Sequence, residues 1–154
     1  MAVDIQAIQD AKDALNEEKA PHAEFMRVAM HGEAFLVSVD AVLSVVRPSV
    51  ITPVPMAPDH LIGVANVRGQ VFCIVNPGKL LKLGDEIKEK TKDTRFLLLR
   101  HDRVHMGIWV DAITELHSVP KTEVPADSGD KFIRGHLTFG ADKLPILRVN
   151  VLFD

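Results

Sequence analysis

The 154-residue chain contains no tyrosine, one tryptophan (Trp109) and one cysteine (Cys73). A lone cysteine cannot close a disulfide within the chain, and its place in the apolar run 71–75 reads as a small buried thiol. So few large aromatics leave no stacking platform for single-stranded nucleic acid. A net charge of −3 and a pI near 6.1 supply no basic excess for a duplex groove or a lipid surface. No apolar run approaches the roughly 18 residues needed to span a bilayer, so direct membrane insertion is not expected. Residues 1–20 are polar and charged, without the apolar stretch of a secretory leader, which places the chain in the cytoplasm.

Signatures of catalysis are missing as well. There is no glycine-rich phosphate loop, no Gly-x-Ser-x-Gly elbow, no Cys-x-x-Cys pair and no His-Glu-x-x-His. His101 and His105 stand four apart, but they straddle an expected hairpin turn, and two imidazoles without a third ligand do not make a metal site. The sequence therefore assigns no catalytic residue, no metal and no cofactor, and the protein reads as a non-enzyme.

What is present centres on residues 58–76. Two apolar, β-branched runs, 61–67 and 71–75, are joined at Arg68-Gly69-Gln70, a hairpin signal. Asn66 and Arg68 are two residues apart, a spacing that puts both on one face of a strand. Gly63 and Gly69 bracket the segment, as where a backbone turns or approaches another closely.

Around this hairpin the chain is mainly β. A short helix is expected over 4–18, where Ile5, Ile8 and Leu15 form a narrow apolar stripe and Asp4 is a possible cap. Strands follow from Ala23, with Gly32 in the first turn. Pro48, Pro53, Pro55 and Pro58 mark a rigid extended loop. Asn76 and Pro77 suit the start of a helical turn. The mixed-charge stretch 85–95 reads as a solvated linker. Strands resume at 96–99, 104–110, 113–119, 132–139 and 144–149, and 150–153 suits a last helical turn. The aspartates Asp40 and Asp111 each follow a strand, where an Asx-type bond to backbone N–H groups accounts for them.

The chain also repeats itself in order. Val39-Asp40-Ala41-Val42 recurs as Val110-Asp111-Ala112-Ile113, an offset of 110 − 39 = 71. Val54-Pro55 recurs as Val124-Pro125, Arg68-Gly69 as Arg134-Gly135, and Val75-Asn76 as Val149-Asn150. The Arg-Gly match gives Arg68-Gly69 a partly architectural role, with Phe132 standing where Asn66 would be. Two copies of one β unit follow, about 23–83 and 94–154, each of about five strands and each a marginal core alone. Together they should share apolar residues and leave a groove at the junction.

Two classes of function fit these features: an adaptor, or a small-ligand or enzymatic β domain using the groove with Asp40, His60 and Arg68 as its polar set. A family resemblance bears on the choice. Gly63-Val64-Ala65-Asn66-Val67-Arg68-Gly69, followed by Ile74-Val75-Asn76, resembles the signature of CheW-like domains, a G-V-x-N-L-R-G hairpin and a P-I-V-D-L strand. The resemblance continues through Gly107-Ile108-Trp109-Val110-Asp111-Ala112-Ile113, Phe132-Ile133-Arg134-Gly135 and Leu144-Pro145-Ile146-Leu147-Arg148-Val149-Asn150. It runs in order from Phe25 to Phe153.

The resemblance implies a mainly β fold of two intertwined five-stranded SH3-like β-barrel subdomains. These would fill 23–154 after an N-terminal extension over 1–22. It also implies a non-enzymatic signal-transduction adaptor of chemotaxis arrays. One surface would bind the regulatory domain of a CheA-type histidine kinase. Another would bind the cytoplasmic tip of a chemoreceptor, a methyl-accepting chemotaxis protein. Candidate partner-binding residues are Val42, Val45, Ile62, Gly63, Val64, Asn66, Arg68 and Gly69, with Trp109 and Val110 completing a receptor groove from the second copy. The family's acidic residue after V-D-x-V is Ser44 here, its strand aspartate is Asn76, and its motif leucine is Val67. Such departures fit a divergent coupler, for instance of a pilus (twitching) system, or a CheW-like cap that has lost one interface.

Overall fold

The computed structural model describes residues 21–84 and 89–153. The helix expected over 4–18 lies outside the described residues. Eleven strands follow in order: β1 His22–Met30, β2 Glu33–Ser38, β3 Val42–Val46, β4 Ile51–Thr52, β5 Leu61–Val67, β6 Gln70–Val75, β7 Arg95–Leu99, β8 Met106–Val110, β9 Ala112–Pro120, β10 Ile133–Phe139 and β11 Asp142–Leu147. The one α-helix described, α1 Pro77–Leu81, starts where Asn76 Oδ1 accepts from Gly78 N–H at 2.9 Å and Pro77 opens the first turn. The last turn, Val149–Phe153, is 3₁₀.

Local chemistry sets the hairpins. His31 (φ 53°) and Gly32 (φ 77°) turn β1 into β2, and Arg68 (φ 52°) and Gly69 (φ 83°) turn β5 into β6. Positive φ at both central residues is the turn geometry that matches the right-handed twist of paired strands. Gly63 is required by a different contact: a side chain there would meet the Thr52 carbonyl oxygen at 2.4 Å, where β4 crosses β5.

The two sheets have orders β10-β11-β2-β1-β9 and β3-β7-β8-β6-β5-β4. Neither is made of one sequence copy. Hairpin β1–β2 joins β9, β10 and β11, while hairpin β7–β8 joins β3, β4, β5 and β6. Matching β1–β2 with β7–β8, β3 with β9, β5 with β10 and β6 with β11 gives one strand order in both sheets. The exchange is sealed in each by a parallel pair, β11 beside β2 and β6 beside β8. Each copy has lent its first hairpin to the other, which is the intertwining expected of the fold. The sixth strand of the second sheet is β4, two residues laid on the edge of β5.

Register also corrects one of the repeats. The bulge of β5 falls between Leu61 and Gly63, and that of β10 between Ile133 and Gly135. Gly135 is therefore the counterpart of Gly63, an offset of 135 − 63 = 72, and the Arg68-Gly69 turn corresponds to Gly140-Ala141. Arg68 has no arginine counterpart, so an architectural role for it by repetition falls away.

Three apolar cores result. One lies between the sheets and draws on both, with Val28, Val37, Leu97, Ile108 and Val110 each 0% exposed. A second, around Phe25, Leu36 and Ile146, fills the β10-side sheet. A third, around Phe72, Ile74 and Phe96, fills the β5-side sheet. Burying each such side chain stabilises the fold by about 1.5–3 kcal/mol before entropy is counted.

Two histidines fasten the exchanged hairpins across the junction. His31, at the tip of β1–β2, places Nε2 3.0 Å from Asn76 Oδ1, and its backbone N–H donates to Asp111 Oδ2 at 3.0 Å. The ring lies so close to α1 that a Cβ on Gly78 would come 2.1 Å from Nε2. His101, in the loop from β7 to β8, stacks on Phe153 with centroids 4.3 Å apart, and its Nδ1 accepts from the N–H groups of Arg103 and Val104. Asp111 thus does bind backbone N–H, but across the junction and not within its own turn.

Asn76 is 3% exposed and serves both the helix start and His31. Asn76→Ala is expected to lower stability by about 1–2 kcal/mol in urea unfolding. Asn76→Asp, which keeps the acceptor, is expected to lose less; equal stability of Asn76→Ala and the parent would show that the clasp carries no weight.

Candidate partner-binding surfaces

The β5–β6 hairpin presents the first surface. Ala65 pairs with Phe72 and both point into the subdomain core. Strand alternation then turns Val64, Asn66, Val71 and Cys73 to the opposite face. Val64 pairs with Cys73 and Asn66 with Val71, whose side chain is 57% exposed. Val50, just before β4, is 85% exposed, and neighbouring Ser49 donates its hydroxyl to the Asn66 carbonyl at 3.2 Å. Arg68, Gly69 and Gln70 form an exposed polar tip. Asn66 and Arg68 do not share a strand face, because the strand ends at Val67 and Arg68 is already in the turn. Asn66 instead accepts from Gly69 N–H at 3.0 Å and so braces the turn.

A groove at the open end of the core between the sheets is the second surface. It encloses about 320 Å³ between β1, β3 and β9, with Met26, Val45, Ile113 and Leu116 as its apolar walls and Asp93 and Arg95 on its rim. Leu116 is 70% exposed. Val45 and Leu116 are counterparts in the repeat, so the groove lies where the two edge strands β3 and β9 face one another.

The other candidates face inward. Val110 is 0% exposed and Val42 9%, both in the core between the sheets. Ile62 and Trp109 pack on the β5-side core, where Trp109 lies 6.0 Å from Phe96, and Gly63 is buried beneath β4. Their side chains support the surfaces from below. Val50, Val71, Leu43 and Leu116 are exposed apolar side chains that the sequence did not single out, although alternation across the hairpin places Val71 on the outer face. Cys73, expected buried, is half-exposed beside Val64.

The polar set of the ligand-site alternative does not converge. His60 and Arg68 flank opposite ends of β5, which at about 3.3 Å per residue puts them more than ~20 Å apart. A cavity of about 480 Å³ beside β2 and α1 is lined by Glu33, Phe35, Leu83, Asp130, Phe132 and His136 among others, and contains none of the three.

Titration is perturbed in the loop before β10. Arg148 makes a two-pronged bond to the Asp127 carboxylate, and its Nε donates to the Asp130 carbonyl at 3.3 Å. Arg148, helped by Gly129 N–H, holds the Asp127 carboxyl at about 2, below its ordinary 3.8. Asp130 is lowered by the N–H groups of Ile133 and Phe132. These groups brace a loop and are bound to one another, an arrangement suited to holding shape rather than to moving protons.

A rigid two-sheet framework with one apolar hairpin face and one apolar groove defines a protein-binding scaffold. Residues 24–154 match the CheW-like domain family. The chemotaxis protein CheW of Helicobacter pylori is 30% identical over 149 residues, covering 94% of this chain and 87% of that protein. CheW of Thermotoga maritima is 30% identical over 122 residues, covering 78% and 75%. The crystal structure of the scaffolding protein TtCheW from Thermoanaerobacter tengcongensis shares the fold, with a TM-score of 0.74 at 21% identity over 86% of this chain and 88% of that one. The chain belongs to the CheW-like domain family. Its role is that of a chemotaxis coupling adaptor, and it is not an enzyme.

The Asp127–Arg148 brace has a pH signature. The folded carboxyl titrates below its unfolded value, so the contribution is fully present above about pH 3.8 and is lost as pH falls through about 2. Carboxyl NMR titration is expected to place Asp127 near 2 in the parent and nearer its ordinary value in Arg148→Gln. An ordinary value in the parent would remove the brace.

Proposed function

We propose that the protein couples the cytoplasmic tip of a chemoreceptor to the regulatory domain of a CheA-type histidine kinase. The observation that carries this reading is the pair of separate apolar surfaces on one framework. The hairpin face presents apolar Val50, Val64 and Val71 around a polar tip, an apolar centre with a polar rim suited to another folded domain. The groove is walled by apolar Met26, Val45, Ile113 and Leu116 and rimmed by charged Asp93 and Arg95, a pattern suited to the amphipathic helices of a receptor tip. The kinase regulatory domain is therefore assigned to the hairpin and the receptor to the groove, both in the cytoplasm. Among the described residues no helix is long and apolar enough to cross a membrane, so attachment to the receptor array would come through these contacts. Arg68, exposed at the hairpin tip, would anchor the kinase side, and Leu116 the receptor side.

Pull-down of the purified protein with a kinase regulatory domain and a receptor signalling fragment tests the reading. Binding of both is expected; binding of neither would end it. Arg68→Ala is expected to leave the fold intact and weaken kinase binding by about 1–3 kcal/mol. Leu116→Glu is expected to impair receptor binding and spare the kinase. The two effects exchanged would reverse the assignment of the surfaces.

A further inference from the structure

The cavity of about 480 Å³ shares no lining residue with the groove or with the hairpin face. Its walls come from three parts of the chain: the start of β2, the end of α1 with Leu83, and the segment from Asp130 to His136 with Pro145 of β11. The groove opens on the β1–β9 side of the first sheet, and this cavity on its β10–β11–β2 side. Both sequence copies meet here, and ligand sites favour such junctions. The volume also falls within the roughly 300–1,000 Å³ of small-molecule sites.

The lining is divided by chemistry. Phe35, 5% exposed, forms an apolar floor, and Leu81, Leu83 and Ile133 pack on the same core. Glu33, Asp130 and His136 are exposed around it. Each has bonding capacity left. The side chains of Glu33 and His136 have no hydrogen-bond partner among the described residues. Asp130 accepts the N–H groups of Phe132 and Ile133 through Oδ1 alone, which leaves Oδ2 open. The cations nearby are not part of the wall. Lys131 lies over Phe132, with Nζ 5.2 Å from the ring centroid, and Arg148 is bound to Asp127 and the Asp130 carbonyl. Lys82, Arg134 and Lys143 do not line the cavity either. Its polar lining is two carboxylates and one imidazole.

A ligand matched to this wall has an apolar body for the floor and a protonated amine for the carboxylates. We propose that the cavity is a binding site for a small organic ammonium compound. The apolar body lies against Phe35, Leu81 and Ile133, and the ammonium group donates to the carboxylates of Glu33 and Asp130. Binding requires neither kinase nor receptor, and it ties the end of α1 to β2 and β10 across the junction of the two copies.

Methyl NMR of the full chain titrated with phenethylammonium tests the site. A probe this small is expected to bind at about millimolar strength. Saturable shifts are expected at the Leu81, Leu83 and Ile133 methyls, with Met26 and Leu116 of the groove unmoved. Phenylpropionate, the same phenylethyl body with its charge reversed, is expected to leave all of them in place. Glu33→Gln, an exposed substitution that keeps the fold, is expected to weaken phenethylammonium binding about two- to fivefold, the range for losing an exposed ion pair. Absence of saturable shifts at Leu81, Leu83 and Ile133 would overturn the proposal. So would equal binding of phenylpropionate, or unchanged affinity in Glu33→Gln. No kinase or receptor is present in the titration, so its failure is distinct from failure of the coupling role.

Discussion

The core between the two sheets is the constraint from which the rest of the molecule follows. Each sequence copy is too small to bury a core of its own. The chain solves this by exchanging first hairpins, so that β1–β2 completes the sheet of β9–β11 and β7–β8 completes that of β3–β6. Val28 and Val37 from one hairpin then meet Leu97 and Ile108 from the other with no exposure. Separating the sheets would expose all four at once, and separating the two sequence copies would break both parallel strand pairs. The histidine contacts at Asn76 and Phe153 close the ends of the same exchange.

Rigidity of this kind is what an adaptor needs. A coupling protein transmits geometry, and it does so only when its two binding surfaces are held in one body. The hairpin face lies wholly on one sheet, while the groove is walled by β1 and β9 of one sheet and β3 of the other. The groove therefore exists only because the sheets are docked. Loosening the shared core should alter the groove before it alters the hairpin.

Much of this was legible in the residues, and the misses have physical causes. Strand positions followed from alternation and from punctuation at Gly32, Gly69 and the prolines; the α1 cap followed from Asn76-Pro77. The two-copy pattern foretold the architecture, because the V-D-A-V and V-D-A-I segments end the two exchanged hairpins. The Arg-Gly repeat misled, since two identical residues six positions out of register outweighed the bulge glycines Gly63 and Gly135 that actually correspond. Site residues were harder to place. A motif such as Gly63 to Gly69 marks where a surface is built without telling which side chains face out: Ile62 supports from beneath while Val71, outside the motif, is exposed. Leu116 was invisible because an exposed leucine on an edge strand looks like any other strand residue until the facing strand is known.

The central claim is that hairpin exchange makes the two sheets one cooperative body. Trp109, the single tryptophan, reports on the β5-side core, and the Leu137 methyls report on the β10-side core. Equilibrium urea unfolding followed by both probes is the direct test. The account predicts coincident transitions with one midpoint. Two separated midpoints would show that the sheets unfold independently and would contradict it.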